Sequence, residues 1–417
     1  MKQTMYKIET ERGDLFDVNM MIAMKATVAG TEQLAFADFQ KSFRDAVSAY
    51  EILNCRLSIK QDGICYYEPC AESDASSQTI SALSLSFEEL FQQQEKIRFK
   101  LEDGEFLRCF VGEQCNGKRD FIFLMHHLGG DGKSLCYFIE TFFGCLCGSG
   151  KKPEYQPVKL LTKETLPKKA ALPFAAKLLA SHYNKMWQKE CGKQVFSFED
   201  MQRAYDNFWK NHRTVVHIYL LDEAALKAEL AECKKAGIGY TSYAIAKLLK
   251  DENGKKSVGL AVDARPDGNR TMSNQATGIS VDYAYNKRKT PVENAACIDK
   301  LMKAKLGKPV LKYFILQFMA AFEPPLVDAV NLEFAGFFHS KTSAKLAKLL
   351  GYGTNTKDYS ITNLTKLDIP TEYSGSISLK IEDFVFVPPI VSYGKNIIGM
   401  VTANGRLNIA VHTYGQQ

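Results

Sequence analysis

The sequence predicts a mixed α/β (α+β) fold built as two similar halves. Strand-like and helix-like segments alternate along the chain, and the dipeptides Asp62-Gly63 and Asn404-Gly405 are strong hairpin signals. At 417 residues the chain exceeds what one hydrophobic core usually supports. A stretch rich in proline and lysine, residues 149–173, lies between two regions that have a similar mixture of strand-like and helix-like segments. We therefore expect two mixed-sheet halves joined by a linker.

The first half combines strands with amphipathic helices. Phe39, Phe43 and Val47 recur at helical spacing, which indicates a helix with one buried face. The predicted elements are a strand at 17–28, a helix at 36–50, a hairpin at 55–59 and 64–67, a loop at 72–86, a helix at 87–94, strands at 106–111 and 120–125, and a helix that ends near residue 148.

The second half repeats this mixture. Asp222 is a typical helix N-cap and Gly237 a typical helix end. The predicted strands are 214–220, 257–264 (buried), 278–285, 359–364, 384–387, 397–402 and 407–413, and the predicted helices are 223–235, 241–250, 291–305 and 311–322. The predicted division is an N-terminal half at 1–165, a linker with helices at 166–213, and a C-terminal half at 214–417.

Composition excludes several classes of protein. Apolar residues make up 46% of the chain, which is ample for sizeable cores. The net charge is +6 and the lysines are spread out, so we expect no nucleic-acid partner. The longest apolar run, residues 313–322, contains Gln317 and is shorter than the roughly 18 to 20 residues that span a bilayer. We expect a soluble protein without a membrane span.

The cysteines indicate a reducing compartment. There are eleven, an odd number, and Met1 to Asp14 lacks the apolar core of a signal peptide. Thiols in a cytoplasmic protein are therefore expected. Cys145 and Cys147 are separated by one residue and do not match a zinc spacing, so no metal is expected.

Residues 121–132 (FIFLMHHLGGDG) are the main candidate for a functional site. An apolar strand leads into His126 and His127, a glycine turn, Asp131 and Gly132, and a helix follows. Because side chains alternate along a strand, the two histidines should face opposite sides. An imidazole has a pKa near 6.5, which suits proton transfer. Histidines at strand ends are more often ordinary core or turn residues, so local physics leaves both readings open.

Other catalytic patterns fail on specific residues. Gly132-Lys133-Ser134 resembles the end of a phosphate-binding loop, but that pattern needs a glycine where His127 stands. The chain contains neither a G-x-S-x-G nor an H-E-x-x-H sequence. A nucleophilic role for Cys136 stays open, although a buried helix cysteine is the favoured interpretation.

The stretch His126 to Gly132 matches H-H-x-x-x-D-G throughout. It resembles the signature of the thioester-dependent acyltransferase superfamily, which includes chloramphenicol acetyltransferase, the condensation domains of nonribosomal peptide synthetases, and alcohol and polyketide-associated acyltransferases. The strand that ends at Arg265, and Thr362-Asn363 where the family usually carries Ser-Asn, extend the resemblance over the whole chain.

Two departures from the family pattern concern the acceptor side. The D-F-G-W-G block of the plant members is absent, and residues 273–278 (SNQATG) replace the usual G-N-x-x-N. The sequence contains no carrier-protein or adenylation segment, so a stand-alone protein is expected.

The resemblance implies two chloramphenicol-acetyltransferase-like sandwich halves with a tunnel between them and the motif at its middle. His127 would be the general base that takes the proton of the attacking acceptor. Asp131 would be structural and pair with Arg265 of the second half. His126 would pack and form hydrogen bonds.

The same resemblance implies the remaining site and the substrates. The Gly132 N–H, with Thr362 or Asn363, would stabilise the tetrahedral oxyanion. The donor would be an acyl-CoA or a phosphopantetheinyl thioester on an acyl carrier protein, and the acceptor a small-molecule alcohol or amine. No permanently bound cofactor is implied, and a monomer is expected.

Two alternatives to acyl transfer remain. The protein would be a non-catalytic, condensation-like binding module, or a thioester hydrolase with water as acceptor. The aromatic residues in 313–322 and 334–338 are candidates to line an acyl channel, with ordinary core packing as the more frequent role of such runs.

Overall fold

The computed structural model describes residues 4–71, 76–148, 150, 152–266, 268–353, 357–392 and 394–415. Its strands are β1 Tyr6–Lys7, β2 Met21–Ala29, β3 Cys55–Ile59, β4 Cys65–Pro69, β5 Thr79–Ala82, β6 Leu107–Val111, β7 Lys118–His126, β8 Thr214–Leu221, β9 Lys255–Asp263, β10 Ala276–Ala284, β11 Tyr359–Lys366, β12 Glu372–Ser374, β13 Ser378–Val387, β14 Asn396–Ala403 and β15 Arg406–Tyr414. Its α-helices are α1 Phe36–Ser48, α2 Phe87–Gln94, α3 Gly132–Leu146, α4 Phe174–Cys191, α5 Phe198–Asn211, α6 Glu223–Ala236, α7 Tyr240–Leu248, α8 Pro291–Leu306, α9 Pro309–Lys312, α10 Phe314–Met319, α11 Pro324–Phe334 and α12 Lys341–Leu350.

The first six-stranded sheet has the order β12-β13-β2-β7-β6-β5. Its neighbours pair antiparallel except β5 and β6, which are parallel. Phenylalanines of α1 and α3 pack against β7, with ring centroids 5.4 Å apart for Phe39 and Phe121 and 5.6 Å apart for Phe123 and Phe142. Every side chain of β7 from Phe121 to His126 is buried, which confirms the predicted buried strand.

The second six-stranded sheet has the order β10-β9-β11-β14-β15-β8. β11 runs parallel to both β9 and β14, so this sheet is mixed as well. Helices α6, α7 and α8 cover it through a separate core cluster that includes Leu226, Ile245 and Ile298. Asn404 and Gly405 have φ values of 48° and 75° and close the β14–β15 hairpin, as predicted. The predicted mixed α/β fold is confirmed, and a three-stranded sheet of order β1-β4-β3 accompanies the two six-stranded sheets.

A segment from late in the chain joins the first sheet. β12 and β13 come late in the chain, yet β13 pairs antiparallel with β2 in the first sheet, with Phe386 opposite Met24. Helices α4, α5, α11 and α12 also pack on the first core, where Phe196 and Phe338 lie 4.9 Å apart. The division at residues 165 and 213 stays a prediction. It places β12 and β13 in the C-terminal half, although they pair with the first sheet.

Several elements differ from the sequence predictions. The first long strand begins at Met21 rather than at residue 17. The prediction that β9 is buried was wrong, because only Val258 and Leu260 of this strand are buried. The loop predicted at 72–86 contains β5, and its residues 72–75 lie outside the described part. The helix predicted at 311–322 is broken at Tyr313 into α9 and α10.

The aromatic run that was a candidate channel lining packs largely on itself. Phe314 and Phe318 stack at 5.2 Å, and Phe318 meets Phe322 edge-on at 4.9 Å. Phe334 contacts Phe208 of α5, and Phe338 contacts Trp187 of α4. These contacts are those of ordinary core packing.

Candidate active site

The H-H-x-x-x-D-G stretch forms the junction between β7 and α3. His126 is the last residue of β7, and the His127 N–H donates to the Met20 carbonyl at 2.9 Å. Gly130 has a φ of 151°, and a Cβ there would lie 2.5 Å from Ser134 Cβ. The turn therefore requires glycine at this position. Asp131 caps α3 by accepting the Ser134 N–H at 2.9 Å.

Asp131 and Arg265 form the ion pair that the sequence predicted. Arg265 Nη2 donates to Asp131 Oδ1 at 2.9 Å and to Oδ2 at 3.1 Å, and the two side chains are 4% and 8% exposed. The pKa of Asp131 lies below its usual value. Burial alone would raise this pKa, but the Arg265 charge and the N–H donors of Ser134 and Gln275 outweigh burial. Asp131 is therefore an ionised carboxylate that joins the two halves.

The connection between β9 and β10 holds the start of α3 through further hydrogen bonds. The Gln275 N–H donates to Asp131 Oδ2 at 3.0 Å, and Ser134 Oγ donates to the Ser273 carbonyl at 2.9 Å. Residues 273–275 of this connection belong to the stretch that replaces the family's G-N-x-x-N pattern. It fixes the motif from the opposite half of the molecule.

His126 lies in a packed environment. Its Nδ1 accepts the Leu128 N–H at 3.2 Å, and its ring meets Phe99 edge-on at 5.9 Å. Burial lowers the pKa of His126 to about 3, and the charges of His127, Arg98 and Arg108 act in the same direction. A neutral, buried imidazole of this kind is a structural residue.

His127 has different surroundings. Its side chain is 17% exposed, and its Nδ1 lies 3.7 Å from Asp14 Oδ2. Nδ1 is buried and has no hydrogen-bond partner among the described residues. The structure thus separates the two histidines that local sequence reasoning left equal.

Gly132 begins α3 in close contact with both sheets. A Cβ at this position would lie 3.1 Å from Leu364 Cδ2 of β11 and 3.3 Å from Phe386 Cε2 of β13. The N–H groups in the first turn of a helix have no acceptor within the helix, and the helix dipole makes that end electropositive. The Gly132 N–H therefore belongs to a helix end that favours negative charge.

The structure distinguishes Thr362 from Asn363. Asn363 Nδ2 donates to Thr241 Oγ1 of α7 at 3.0 Å, on the helix-covered face of the second sheet. Side chains alternate along β11, so Thr362 shares a face with Leu364, which contacts Gly132. Thr362 is the member of the pair that lies on the motif side.

Two polar residues beside His127 were not found by sequence reasoning. Asp14 ends a short 3-10 helix, and its Oδ2 accepts a hydrogen bond from Asn274 Nδ2 at 2.8 Å. The only sequence signal for Asp14 is a carboxylate followed by the apolar pair Leu15-Phe16. Asn274 lies in the stretch that departs from the family pattern, and that departure was the available signal.

Glu11 is connected to the motif through Tyr67. Tyr67 Oη lies 2.8 Å from both Glu11 Oε1 and the Leu128 carbonyl. Burial raises the pKa of Glu11 to about 8, the charge of Asp14 adds to this, and the Tyr67 hydrogen bond opposes it. The Tyr67 hydroxyl, which donates to Glu11 Oε1, thus lies between the Glu11 carboxyl group and the backbone of the motif.

Glu11 should therefore make stability depend on pH. Its folded pKa of about 8 exceeds the roughly 4.3 of an unfolded chain, so its contribution is complete below the unfolded pKa and is lost as pH rises through the folded one. We expect the free energy of unfolding to fall between about pH 5 and pH 8 more steeply in the wild type than in Glu11→Gln, by up to about 1.4 kcal/mol per pH unit. Urea unfolding across this range measures the difference. Parallel curves would contradict the protonated Glu11.

The cysteines do not provide a second candidate site among the described residues. All eleven cysteines are present as thiols, and Cys136 is buried with its Sγ 3.8 Å from Met24 Sδ. Burial raises the pKa of Cys136 far above its usual value, which argues against a nucleophilic thiolate. Within the described ranges, no His, Cys, Asp and Glu cluster is able to hold a metal ion, and no helix is long and apolar enough to cross a membrane.

Two surface grooves lie away from the motif, one along α4 beside Glu323 and one between α5 and Gly336. The channel expected between the halves at the motif stays a prediction.

Comparison with solved structures shows that the chain shares its fold with an acetyltransferase, a polyketide-synthase-associated protein and a condensation domain. The trichothecene 15-O-acetyltransferase of Fusarium sporotrichioides matches with a TM-score of 0.66 at 11% identity, over 100% of this chain and 92% of that chain. Polyketide synthase associated protein 5 of Mycobacterium tuberculosis matches with a TM-score of 0.61 at 13% identity, over 99% and 95%. The starter condensation domain of rhizomide synthetase, in complex with C8-CoA, matches with a TM-score of 0.58 at 13% identity, over 98% and 89%.

Sequence comparison alone finds no such likeness. No family model matches the chain, and the search of curated proteins finds no match. At 11–13% identity the structural matches establish the fold, and they cover nearly the whole chain. The fold implied by the H-H-x-x-x-D-G resemblance is thereby confirmed.

Proposed function

We propose that this protein is an acyltransferase that moves an acyl group from a thioester to an alcohol or amine, with His127 as general base. The position of His127 carries the proposal. His127, whose ring is partly exposed, lies between the end of β7 and the start of α3, where Gly132 contacts both six-stranded sheets. A base beside an electropositive helix end is what attack on a thioester carbonyl requires.

His127 Nδ1 is the buried edge of the ring, which leaves Nε2 for the acceptor. In the proposed reaction, Nε2 takes the proton of the acceptor hydroxyl or amine as that atom attacks the thioester carbon. The tetrahedral intermediate then collapses, its carbon–sulfur bond breaks, and the imidazolium returns the proton to the departing thiolate. The acyl group ends on the acceptor, and the thiol is released.

The oxyanion of that intermediate would be held at the start of α3. The Gly132 N–H supplies one donor, and the helix dipole favours negative charge there. Thr362, on the motif side of β11, supplies the second donor in this proposal. Asn363 Nδ2 donates to Thr241 instead, so Asn363 is not a donor to the oxyanion in this proposal. The Asp131–Arg265 pair holds the turn in place without touching the substrate.

The donor class follows from the fold neighbours. One neighbour was solved with C8-CoA, and another is named as an O-acetyltransferase, which supports an acyl-CoA donor and a hydroxyl acceptor. A phosphopantetheinyl thioester on a carrier protein has the same reacting group and is the second donor candidate.

Thiol release tests the proposal directly. The purified protein is mixed with acyl-CoAs from acetyl to palmitoyl, with and without panels of alcohols and amines, and free CoA is measured with a thiol-reactive dye. We expect release that depends on an acceptor and on chain length. Release without an acceptor would favour the thioester hydrolase. No release with any pair, from CoA or from a carrier thioester, would favour the binding module.

A further inference from the structure

The buried nitrogen of His127 lies near a carboxylate of the N-terminal segment. His127 Nδ1 has no hydrogen-bond partner among the described residues, and the Asp14 carboxylate lies 3.7 Å away. The distance exceeds a hydrogen bond, but such contacts often tighten only when the substrate is bound. Buried polar atoms are normally hydrogen-bonded. Among the described residues, the Asp14 carboxylate is an acceptor that lies close to Nδ1.

Asn274 holds Asp14 in this position. Asn274 Nδ2 donates to Asp14 Oδ2 at 2.8 Å, and Asn274 Oδ1 accepts the Ala276 N–H at 3.0 Å. The amide is therefore oriented by β10 and presents its donor to the carboxylate. Oδ2, the oxygen that Asn274 contacts, is also the one nearest His127. This arrangement links the N-terminal segment, the motif and the second half at one point.

The other charged groups near Asp14 and His127 are occupied elsewhere. Arg12 pairs with Asp328 of α11, with Nε donating to Oδ1 at 2.8 Å. Asp17 accepts from Ser392 Oγ at 2.7 Å, and Glu11 is bonded to Tyr67. His126, on β7, is neutral at ordinary pH. Burial raises the pKa of Asp14, while His127 and Asn274 lower it, so a charge on His127 favours the ionised carboxylate.

We propose that Asp14 is a positioning residue that accepts a hydrogen bond from Nδ1–H of His127, fixes the tautomer with a free Nε2, and stabilises the imidazolium formed during acyl transfer. This inference rests on the proposed function and adds a residue that the H-H-x-x-x-D-G signature does not contain. Asp14 touches neither donor nor acceptor, and it acts through the ring.

Two substitutions separate the charge of Asp14 from its geometry. Asp14→Asn keeps an acceptor oxygen and removes the charge, so the acid limb of the kcat–pH profile should move to lower pH by about one unit. Asp14→Ala also removes the acceptor, and kcat should fall by up to about 100-fold with little change in KM. Asp17→Asn makes the same chemical change three residues later and should leave the acid limb in place. Circular dichroism confirms that each variant is folded.

A spectroscopic readout keeps this test independent of turnover. Nitrogen-15 spectra of histidine-labelled protein, assigned with His127→Ala, report which ring nitrogen carries the proton. We expect the Nδ1–H tautomer in the wild type and in Asp14→Asn, and a shift toward Nε2–H in Asp14→Ala. An unchanged tautomer in folded Asp14→Ala, or a wild-type kcat–pH profile in both variants, would overturn the role of Asp14. If the wild type turns over no substrate, the proposed function fails while the tautomer still decides the pairing.

Discussion

Replacing His127 with alanine is expected to reduce acceptor-dependent thiol release by about 10²- to 10⁴-fold, the usual contribution of a general base. The ring is partly exposed and makes no side-chain hydrogen bond to the described residues, so its loss should leave the free energy of unfolding nearly unchanged. The effect should fall on kcat rather than on binding of the thioester, because the base acts in the transition state. Steady-state kinetics with the best donor and acceptor measures it.

The matched controls are two other histidines. His182→Ala removes an exposed imidazole on α4 and should leave kcat unchanged. His126→Ala removes the buried neighbour and should cost stability through the packing against Phe99. A folded His127→Ala variant that transfers acyl groups at the wild-type rate would rule out the proposed base.

Arg265→Ala is expected to lower the free energy of unfolding by about 3–5 kcal/mol, because it leaves the Asp131 carboxylate buried without its counterion. Both side chains are almost fully buried, and the pair joins the two halves of the fold. Asp131→Ala should have an effect of similar size, since it strands the guanidinium and also removes the α3 cap. The double variant should lose less than the sum of the two, which a double-mutant cycle measures by urea unfolding.

The chain offers a matched control for this pair. Arg270 pairs with Glu140 and so joins the same connection to the same helix, but these side chains are 44% and 29% exposed. Arg270→Ala should therefore cost no more than about 1 kcal/mol. A loss in Arg265→Ala no larger than that in Arg270→Ala would contradict the bridging role of Asp131 and Arg265.

Local patterns predicted much of the fold. The hairpin at Asn404-Gly405 follows from turn chemistry, and β7 follows from its apolar residues. The junction of strand, turn and helix followed from seven residues, and the pairing of Asp131 with Arg265 followed from the resemblance they carry. The role of Asp131 as the cap of α3 was not predicted.

What the sequence did not predict depends on contacts between distant residues. The pairing of β13 with β2 cannot be read from either strand, because both have the same β-forming pattern. Asp14 comes close to His127, and Asn274 to Asp14, only after the chain has folded, and their local sequence does not indicate either contact. The sequence likewise could not decide whether Thr362 or Asn363 lies on the motif side. That decision required knowing which face of β11 packs against Gly132.

The central claim, acyl transfer with His127 as base, is tested most directly by following the acyl group itself. Acyl-CoA labelled with carbon-13 in the acyl chain is incubated with an accepted alcohol or amine, and the products are identified by mass spectrometry. The proposed function predicts a labelled ester or amide with the wild type, and almost none with folded His127→Ala. Label found only in free acid, or equal labelled product with both proteins, would contradict it.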